Sequence, residues 1–266
     1  MFSLCRGAGG GAIIGLPPIG RDAMLTILSR GAAELGLSLT PRQLELFERY
    51  YLLLSAGGRR AGVTAVTGYE EVQQRHFLES LALAAALLEG GLLEGASALS
   101  VLDLGAGGGF PGLPIKLLLP NLALTLLESS RRKGDFLREV VESLELEGVE
   151  VITSRAEMLG RQEGYRDRFD LVVARAVAPL SVLLELALPL LRLGGSLATP
   201  KGGRAQAEVE AAGPALSILG GAVLWERPLK VPDTVHPQTL VVVRKTGSTP
   251  DRYPRKAGMP KKRPLC

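Results

Sequence analysis

Cysteine, histidine and aromatic residues are scarce in this chain of 266 residues. The two cysteines, Cys5 and Cys266, stand near opposite ends, and the two histidines, His76 and His236, are far apart in sequence. Neither pattern fits a disulfide framework or a metal site, so we expect no metal and a reducing cytoplasmic location. No apolar run approaches the roughly 20 residues that span a bilayer. We therefore expect a monomer that does not bind membranes.

Positive charge is concentrated at the carboxyl end. Residues 244–266 contain eight Lys or Arg residues and one acid, Asp251, whereas the rest of the chain has 23 basic and 26 acidic residues. This asymmetry is typical of an arm that binds a polyanion, and a solvated, disordered end is the alternative. Interspersed Pro and Gly residues predict that the tail is extended.

Composition and periodicity divide the chain into four segments. Residues 1–21 are rich in Gly and Pro, and we expect a disordered leader. Residues 22–95 carry apolar residues at helical spacing, with Thr40–Pro41 as N-cap and first-turn proline of one helix, and should form a helical cap. Residues 96–246 alternate short apolar runs with helical stretches, and residues 247–266 form the basic tail.

The alternating segment predicts an α/β, Rossmann-like domain with a mostly parallel sheet of about seven strands. The last two apolar runs have no helix between them, which predicts an antiparallel hairpin. The predicted strands are Ser100–Leu104, Ala123–Leu127, Val149–Thr153, Leu171–Ala174, Ser196–Thr199, Ala222–Trp225 and Leu240–Val243, and two of the intervening helices are Arg132–Leu146 and Leu180–Leu191.

A glycine loop follows the first strand, in the segment Val101-Leu-Asp-Leu-Gly-Ala-Gly-Gly-Gly-Phe-Pro-Gly112. A dinucleotide site requires G-x-G-x-x-G directly after the strand, but in the frame of Gly105 and Gly107 the third glycine is replaced by Phe110. The carboxylate of Asp103 suits a cationic cofactor such as S-adenosylmethionine and would repel a pyrophosphate. The loop therefore favours a methyltransferase over an NAD-dependent oxidoreductase.

Two charged residues at other strand ends are further candidates. Glu128 ends the second strand, where a carboxylate can accept hydrogen bonds from both ribose hydroxyls, although an exposed acid without function is the alternative. Arg175 follows the fourth strand at the carboxyl edge of the sheet, where doubly wound folds bind ligands. Its alternative is a surface salt bridge.

Motifs along most of the chain resemble those of one family, the methyltransferases called RsmG or glucose-inhibited division protein B. They are His76-Phe-Leu-Glu-Ser-Leu81, the loop Asp103–Gly112, Lys133 with Phe136-Leu137, Arg155-Ala-Glu157, Phe169-Asp170, Ala174-Arg-Ala-Val-Ala-Pro-Leu180, Lys201-Gly202, Tyr253-Pro-Arg-Lys-Ala-Gly258 and Pro260-Lys-Lys-Arg-Pro-Leu265. The chain departs from the family pattern at three places. Gly62-Val63-Thr64 replaces a motif that usually has Asn before Leu-Thr, and Glu79 and Glu128 stand where Asp is usual.

The resemblance implies a Rossmann-like class I methyltransferase that forms 7-methylguanosine in small-subunit ribosomal RNA, or in the small subunit itself, with S-adenosylmethionine as cofactor. It implies that the loop and the second strand end hold the cofactor, that Ala156 and Glu157 face the adenine, and that Arg175 lies beside the methionine end or the base. Together with the loop residues, the expected cofactor set is Asp103, Gly105, Gly107, Phe110, Glu128, Ser129, Ser130, Ala156, Glu157 and Arg175.

RNA contacts are expected from the basic tail and from the cofactor edge, because Lys and Arg neutralise phosphates. The candidates are Arg131, Lys133, Lys201, Arg255, Lys256, Lys261, Lys262 and Arg263. Guanine N7 has a free lone pair, so no general base is expected, and Arg175 or Lys201 would orient the base or its phosphates. Deletion of residues 250–266 is expected to weaken RNA binding and to leave cofactor affinity nearly unchanged. The alternatives are a methyltransferase for another RNA, a protein or a small molecule, and a non-catalytic RNA-binding module.

Overall fold

The computed structural model describes residues 26–66, 68–95 and 99–265, and the leader predicted over residues 1–21 lies outside them. A helical cap precedes an α/β domain in this part of the chain. The cap helices are α1 (Thr26–Glu34), α2 (Pro41–Leu53), α3 (Arg59–Ala61), α4 (Tyr69–Val72) and α5 (Glu79–Glu89), with π-helical turns at Leu54–Gly58 and Gln73–Leu78.

The start of α2 shows how the sequence sets a cap helix. The Thr40 hydroxyl accepts a hydrogen bond from the Gln43 backbone N–H at 3.2 Å, and the Gln43 side chain accepts one from the Thr40 N–H at 2.8 Å. This reciprocal pair is a capping box, and Pro41 occupies the first turn, where its missing N–H costs nothing. The helix start predicted at Thr40–Pro41 is confirmed.

The sheet has seven strands among the described residues, in the order β3-β2-β1-β4-β5-β7-β6. Strands β1 to β5 are parallel, and β7 is antiparallel to both β5 and β6, so the predicted terminal hairpin is confirmed. The strands are β1 (Ser100–Leu104), β2 (Ala123–Glu128), β3 (Val149–Thr153), β4 (Phe169–Val173), β5 (Leu191–Lys201), β6 (Gly221–Leu229) and β7 (Gln238–Lys245).

Helices cover both faces of this sheet. They are α6 (Gly112–Leu118), α7 (Arg131–Ser143), α8 (Ala156–Leu159), α9 (Leu180–Ala187), α10 (Ala205–Ala211), α11 (Gly213–Leu219) and, after the last strand, α12 (Met259–Lys262). In the described ranges no helix has the length and apolar character needed to cross a membrane.

Each face of the sheet has its own hydrophobic core. Side chains alternate along β1, so neighbouring residues of this strand pack in different cores. Val101 packs in the core beneath the helical cap, whereas Leu102 and Leu104 pack in the core beneath α9 and α11. Because successive strand residues point to opposite faces, Asp103 is directed toward the cap side. This placement matters for the site described below.

The carboxyl-terminal segment differs from the sequence expectation. Residues 249–265, here named the C-terminal strap, are packed against the domain, with Tyr253 and Pro260 buried. The prediction of an extended tail is therefore wrong. Proline and glycine limit regular structure here, but apolar burial and ion pairing still fix the segment.

Candidate cofactor and acceptor site

The glycine loop after β1 is shaped by backbone conformation and by the end of β2. Gly105 and Gly107 have φ of 76° and 58°, a left-handed region that favours glycine. The Gly105 N–H donates to the Leu127 carbonyl at 2.8 Å, and the Gly107 N–H donates to the Glu128 carboxylate at 3.0 Å. The loop is therefore held against β2 with little side-chain bulk in front of it.

A cavity of about 610 Å³ opens at this carboxyl edge of the sheet. Its volume lies within the roughly 300–1,000 Å³ typical of small-molecule and cofactor sites. The lining residues come from the ends of β1 to β4, from α9 and from the strap: Leu104, Gly105, Leu127, Ser129, Ser154, Arg155, Ala156, Glu157, Val177, Ala178, Val182, Leu186, Gly258, Pro260, Lys261 and Lys262. Of the predicted cofactor residues, the cavity thus brings together Gly105, Ser129, Ala156 and Glu157.

Asp103 does not line this cavity. Its side chain is fully buried on the cap side of the sheet, where one carboxylate oxygen accepts the Gly112 N–H at 2.8 Å. The other oxygen, Oδ1, has no hydrogen-bond partner among the described residues. Burial raises the pKa of Asp103 to about 7, partly opposed by the Gly112 hydrogen bond and by the charge of Arg175. The carboxylate therefore shapes the loop, and its unpaired oxygen is an acceptor that a cationic group would satisfy.

Glu128 and Ser130 also shape the loop. The Glu128 side chain is 6% exposed, and its two oxygens accept N–H groups from Gly107 and, at 2.7 Å, from Ser130. Each carboxylate oxygen can accept more than one hydrogen bond, so these contacts leave acceptor capacity for a ribose. Ser130 itself is the N-cap residue of α7 and contributes its backbone.

Phe110 joins the loop to the helical cap instead of lining the cavity. Its ring stacks on Tyr50 at 5.5 Å and on His76 at 4.4 Å between centroids, and it is 7% exposed. The Tyr50 hydroxyl donates to the Gly108 carbonyl. The Phe110 ring therefore packs against the cap and is not among the groups that line the cavity, and the cofactor contact implied for Phe110 stays a prediction.

Arg175 is also committed to the cap. Its guanidinium donates to the Arg75 carbonyl at 3.0 Å and to Glu79 at 3.1 Å, and it lies 5.4 Å from the centre of the Phe110 ring. Burial and the Arg175 charge lower the pKa of the neighbouring His76 to about 4, so His76 is neutral at pH 7. Arg175 thus ties β4 to the helical cap through an interior ion pair.

A second cavity, of about 930 Å³, lies beside the first and shares Val177 and Ala178 with it. Just before this shared wall, Ala176 has a φ of 56°, so the chain turns sharply after β4. The lining residues are Arg75, His76, Glu79, Arg175, Ala176, Val177, Ala178, Pro179, Pro200, Lys201, Gly202, Gly203, Glu208, His236, Pro237 and Gln238. Both predicted orienting residues, Arg175 and Lys201, therefore belong to the second cavity.

Lys201 is the buried cation of the second cavity. It is 8% exposed, and its ammonium donates to the Ala178 carbonyl at 2.8 Å and lies 2.9 Å from the Glu208 carboxylate. An ammonium has three N–H donors, so these two contacts leave one for a ligand.

The predicted RNA contacts fall into two groups. The first group is engaged inside the protein: Lys201 is held by Glu208 and the Ala178 carbonyl, and Arg255 forms a bidentate pair with Glu185, whose side chain is 1% exposed. Release of Arg255 toward RNA would leave a buried carboxylate without its cation. Lys133 is half-buried. The exposed members are Arg131, Lys256, Lys261, Lys262 and Arg263.

Sequence reasoning missed the strap as part of the first cavity and missed the shared wall. The Glu157 carboxylate accepts the Gly258 N–H at 2.8 Å, so this predicted adenine contact also holds the strap. One available signal was Glu185, an acid inside an apolar helix, since a buried carboxylate requires a partner. Val177 and Ala178 stand inside the family motif Ala174–Leu180, but as small apolar residues they give no chemical sign that they line both cavities.

The first cavity fits S-adenosylmethionine on two observations. Its volume suits a nucleoside-sized molecule, and at Gly105 the left-handed backbone lines the cavity without a side chain, since an added Cβ would lie 2.9 Å from Val177. The unpaired Asp103 oxygen faces the cap and is not among the groups that line this cavity. Together with the sheet order, these features define a Rossmann-like class I methyltransferase.

Comparisons with known proteins agree with this class. The chain matches the family model described as GidB, rRNA small subunit methyltransferase G, over residues 43–229. It is 43% identical over 239 residues to the ribosomal RNA small subunit methyltransferase G of Pelotomaculum thermopropionicum, covering 90% of this chain and 97% of that protein. The protein of the same name from Roseiflexus castenholzii is 44% identical over 238 residues, covering 90% and 98%.

Among solved structures, a branched-chain polyamine synthase from Thermus thermophilus is similar with a TM-score of 0.50 and 17% identity, covering 65% of this chain and 57% of that chain. At this identity the likeness concerns the fold alone. The sequence matches carry more: this chain belongs to the rRNA small subunit methyltransferase G family. The predicted family, α/β fold and class of enzyme, a methyltransferase that uses S-adenosylmethionine, are confirmed.

Proposed function

We propose that the protein transfers the methyl group of S-adenosylmethionine to N7 of a guanine in small-subunit ribosomal RNA. The observation that carries this proposal is the pair of cavities that share Val177 and Ala178. One cavity lies at the strand ends where Rossmann-like folds bind nucleosides, and the other is wide enough for a base. A donor and an acceptor held in the two cavities meet at the shared wall.

The residues of the first cavity hold the donor. S-adenosylmethionine supplies a methyl carbon that its sulfonium activates for displacement. Gly105 lets the backbone approach the ligand, and Ala156 leaves space beside its backbone for the adenine. Glu128 stands between the lining residues Leu127 and Ser129 and retains acceptor capacity for the ribose. The apolar side chains of Val182 and Leu186 exclude water from the opposite wall.

The second cavity orients the acceptor. Guanine N7 carries its own lone pair, so the protein has to align the base and exclude water without removing a proton first. Lys201 has one N–H free of the contacts described above and can donate it to an oxygen of the base or of a phosphate. Arg175 positions the wall of this cavity through Glu79 and the Arg75 carbonyl. His76, neutral at pH 7, adds no charge there.

The rest of the RNA contact is proposed for exposed basic residues around the two openings. The strap contributes Lys256, Lys261, Lys262 and Arg263, and the start of α7 contributes Arg131. Such side chains neutralise phosphates without reading sequence, so base identity is read inside the second cavity. We further propose that the protein is a monomer and acts in the cytoplasm, where its ribosomal substrate is assembled.

The proposal is tested by methyl transfer from labelled S-adenosylmethionine to ribosomal particles from cells that lack this protein. Assembled small subunits and naked small-subunit RNA serve as parallel substrates, and large subunits serve as the control. Nucleoside analysis of the product should place the label in 7-methylguanosine at one site. Label in another nucleoside, or binding of S-adenosylhomocysteine without transfer to either RNA substrate, would contradict it.

A further inference from the structure

The C-terminal strap is fastened to the domain by arginines that bind its backbone. Arg166 donates to the carbonyls of Thr249 and Tyr253, at 2.7 and 2.8 Å. Arg161 donates to the carbonyls of Arg252 and Pro254, at 3.1 and 2.8 Å. Four carbonyl contacts from two rigid guanidinium groups, three of them to consecutive residues, fix the path of the first half of the strap.

A buried ion pair fixes the middle of the strap. The Glu185 carboxylate accepts the Arg255 backbone N–H at 2.8 Å and its guanidinium at 2.6 to 3.1 Å. Arg255 also donates to the Arg263 carbonyl at 2.7 Å, which ties the end of the strap to its middle. The segment between these two residues is therefore held as a closed turn.

That turn forms one wall of the cofactor cavity. Gly258, Pro260, Lys261 and Lys262 line the cavity directly opposite the strand ends. The Gly258 N–H donates to Glu157 at 2.8 Å, and Glu157 lines the same cavity from α8. The Glu157 carboxylate thus connects α8 to the part of the strap that lines the cavity.

We infer that the strap is a structural part of the cofactor site and that Glu157 is a positioning residue that acts on the cofactor through Gly258. This inference rests on the proposed function only for the identity of the cofactor. It reverses the sequence expectation that removal of residues 250–266 leaves cofactor affinity unchanged. The physical reason is that a cavity open on one side loses contact area and admits water.

The first test compares Glu157→Ala with Glu157→Gln, and Glu163→Gln is the control because Glu163 is an exposed acid that follows α8 and does not line the cavity. S-adenosylhomocysteine affinity is measured by calorimetry on the full chain. A hydrogen bond to a charged acceptor typically contributes enough for Glu157→Ala to weaken binding about tenfold. Gln keeps an acceptor oxygen, so Glu157→Gln should recover most of the affinity, and Glu163→Gln should not change it.

A direct contact between Glu157 and the cofactor would also lower affinity, so a second measurement separates the two roles. Amide hydrogen exchange of residues 258–262 is followed in the ligand-free protein. If Glu157 acts through the strap, Glu157→Ala speeds exchange there, and S-adenosylhomocysteine slows it in the native chain. Unchanged exchange in the ligand-free variant would overturn the inference.

A shortened chain ending at Lys256, which lacks Gly258 and the rest of the cavity wall, completes the test. Its affinity should fall at least tenfold, and adding Glu157→Ala to it should cause little further loss, because the wall that Glu157 positions is already gone. An undiminished effect of Glu157→Ala in the shortened chain would overturn the inference even if the chain binds weakly. Failure of the native protein to methylate RNA, with these binding results intact, would count against the proposed function alone.

Discussion

Gly105→Ala should be costly for both folding and cofactor binding. Gly105 has a φ of 76°, and a Cβ there would lie 2.9 Å from Cγ2 of Val177. The left-handed backbone costs about 1–2 kcal/mol for a residue with a Cβ. Forcing an atom against a neighbour adds about 1–3 kcal/mol. The free energy of unfolding should therefore fall by about 2–5 kcal/mol.

Gly36→Ala is the matched control for the cost of a left-handed backbone at a residue with a Cβ. Gly36 ends α1 with a nearly equal φ of 73°, but a Cβ there meets nothing within 4 Å. Its cost should be about 1–2 kcal/mol, from the backbone conformation alone. The difference between the two variants isolates the contact with Val177, and Val177→Ala in the Gly105→Ala background should remove most of it, as a double-mutant cycle would show.

Urea unfolding measures the stabilities, and calorimetry with S-adenosylhomocysteine measures the site. Gly105→Ala should reduce cofactor affinity while the protein is still folded, since the new methyl group projects at the cavity wall. Gly36→Ala should leave the affinity unchanged, because it lies in the helical cap far from that wall in sequence and has no described contact with the cavity. Equal stability losses for the two variants would refute the reasoning about the Val177 contact.

Three further predictions concern buried charges. Arg255→Ala leaves the buried Glu185 carboxylate with the backbone N–H of residue 255 but without its guanidinium partner, and should lower the free energy of unfolding by about 3 kcal/mol. Exposed Lys256→Ala should change it by less than about 0.5 kcal/mol, and equal urea midpoints for the two variants would contradict this. Burial raises the pKa of Asp103 to about 7, so between about pH 4 and 7 the folded protein holds a proton on this group that the unfolded chain has lost. The free energy of unfolding should therefore fall by an amount on the order of 4 kcal/mol as pH rises through this range. Asp103→Asn should remove that decline, and parallel stability profiles against pH for the two proteins would count against it. Lys201→Ala should slow single-turnover methyl transfer about tenfold or more, because Lys201 lines the second cavity, where the acceptor is oriented. Lys201 does not line the first cavity, so the affinity for S-adenosylhomocysteine should stay within about twofold. A large loss of affinity would place Lys201 in the donor site instead.

The sheet could be predicted from sequence because its strands are short apolar runs with local signals. Three observed strands, β1, β2 and β3, match their predicted bounds to within one residue. Strand β5 is longer than predicted, Leu191–Lys201 in place of Ser196–Thr199. Gly194, Gly195 and Pro200 weaken the local strand signal. Pairing of Leu191 with Phe169 of β4 extends the strand at its start, and pairing of Pro200 with Leu240 of β7 extends it at its end, so tertiary structure decides both bounds.

The site could be predicted as a region but not in its side-chain contacts. Gly105 is a candidate from the glycine loop, and Ser129 and Ala156 are candidates from the family resemblance. The structure places all three in one cavity because they follow parallel strands whose ends meet at the same sheet edge. Asp103 and Phe110 stand in the same loop, yet they face the helical cap. Strand alternation already separates Asp103 from Leu104, which lines the cavity. The partner of Phe110 depends on the packing of distant helices, for which the loop sequence carries no signal.

The net charge of the basic carboxyl end does not show which of its side chains are exposed and can bind a polyanion. Lys245 is 1% exposed and donates to the carbonyls of Leu188 and Leu191, and it pairs with Asp167. Arg255 is committed to Glu185. These two charges serve the fold, because buried cations require acceptors, whereas the exposed lysines of the strap stay free for a polyanion. Two of these lysines, Lys261 and Lys262, also line the cofactor cavity, so the strap connects the cavity proposed for the methyl donor to the surface proposed for RNA phosphates.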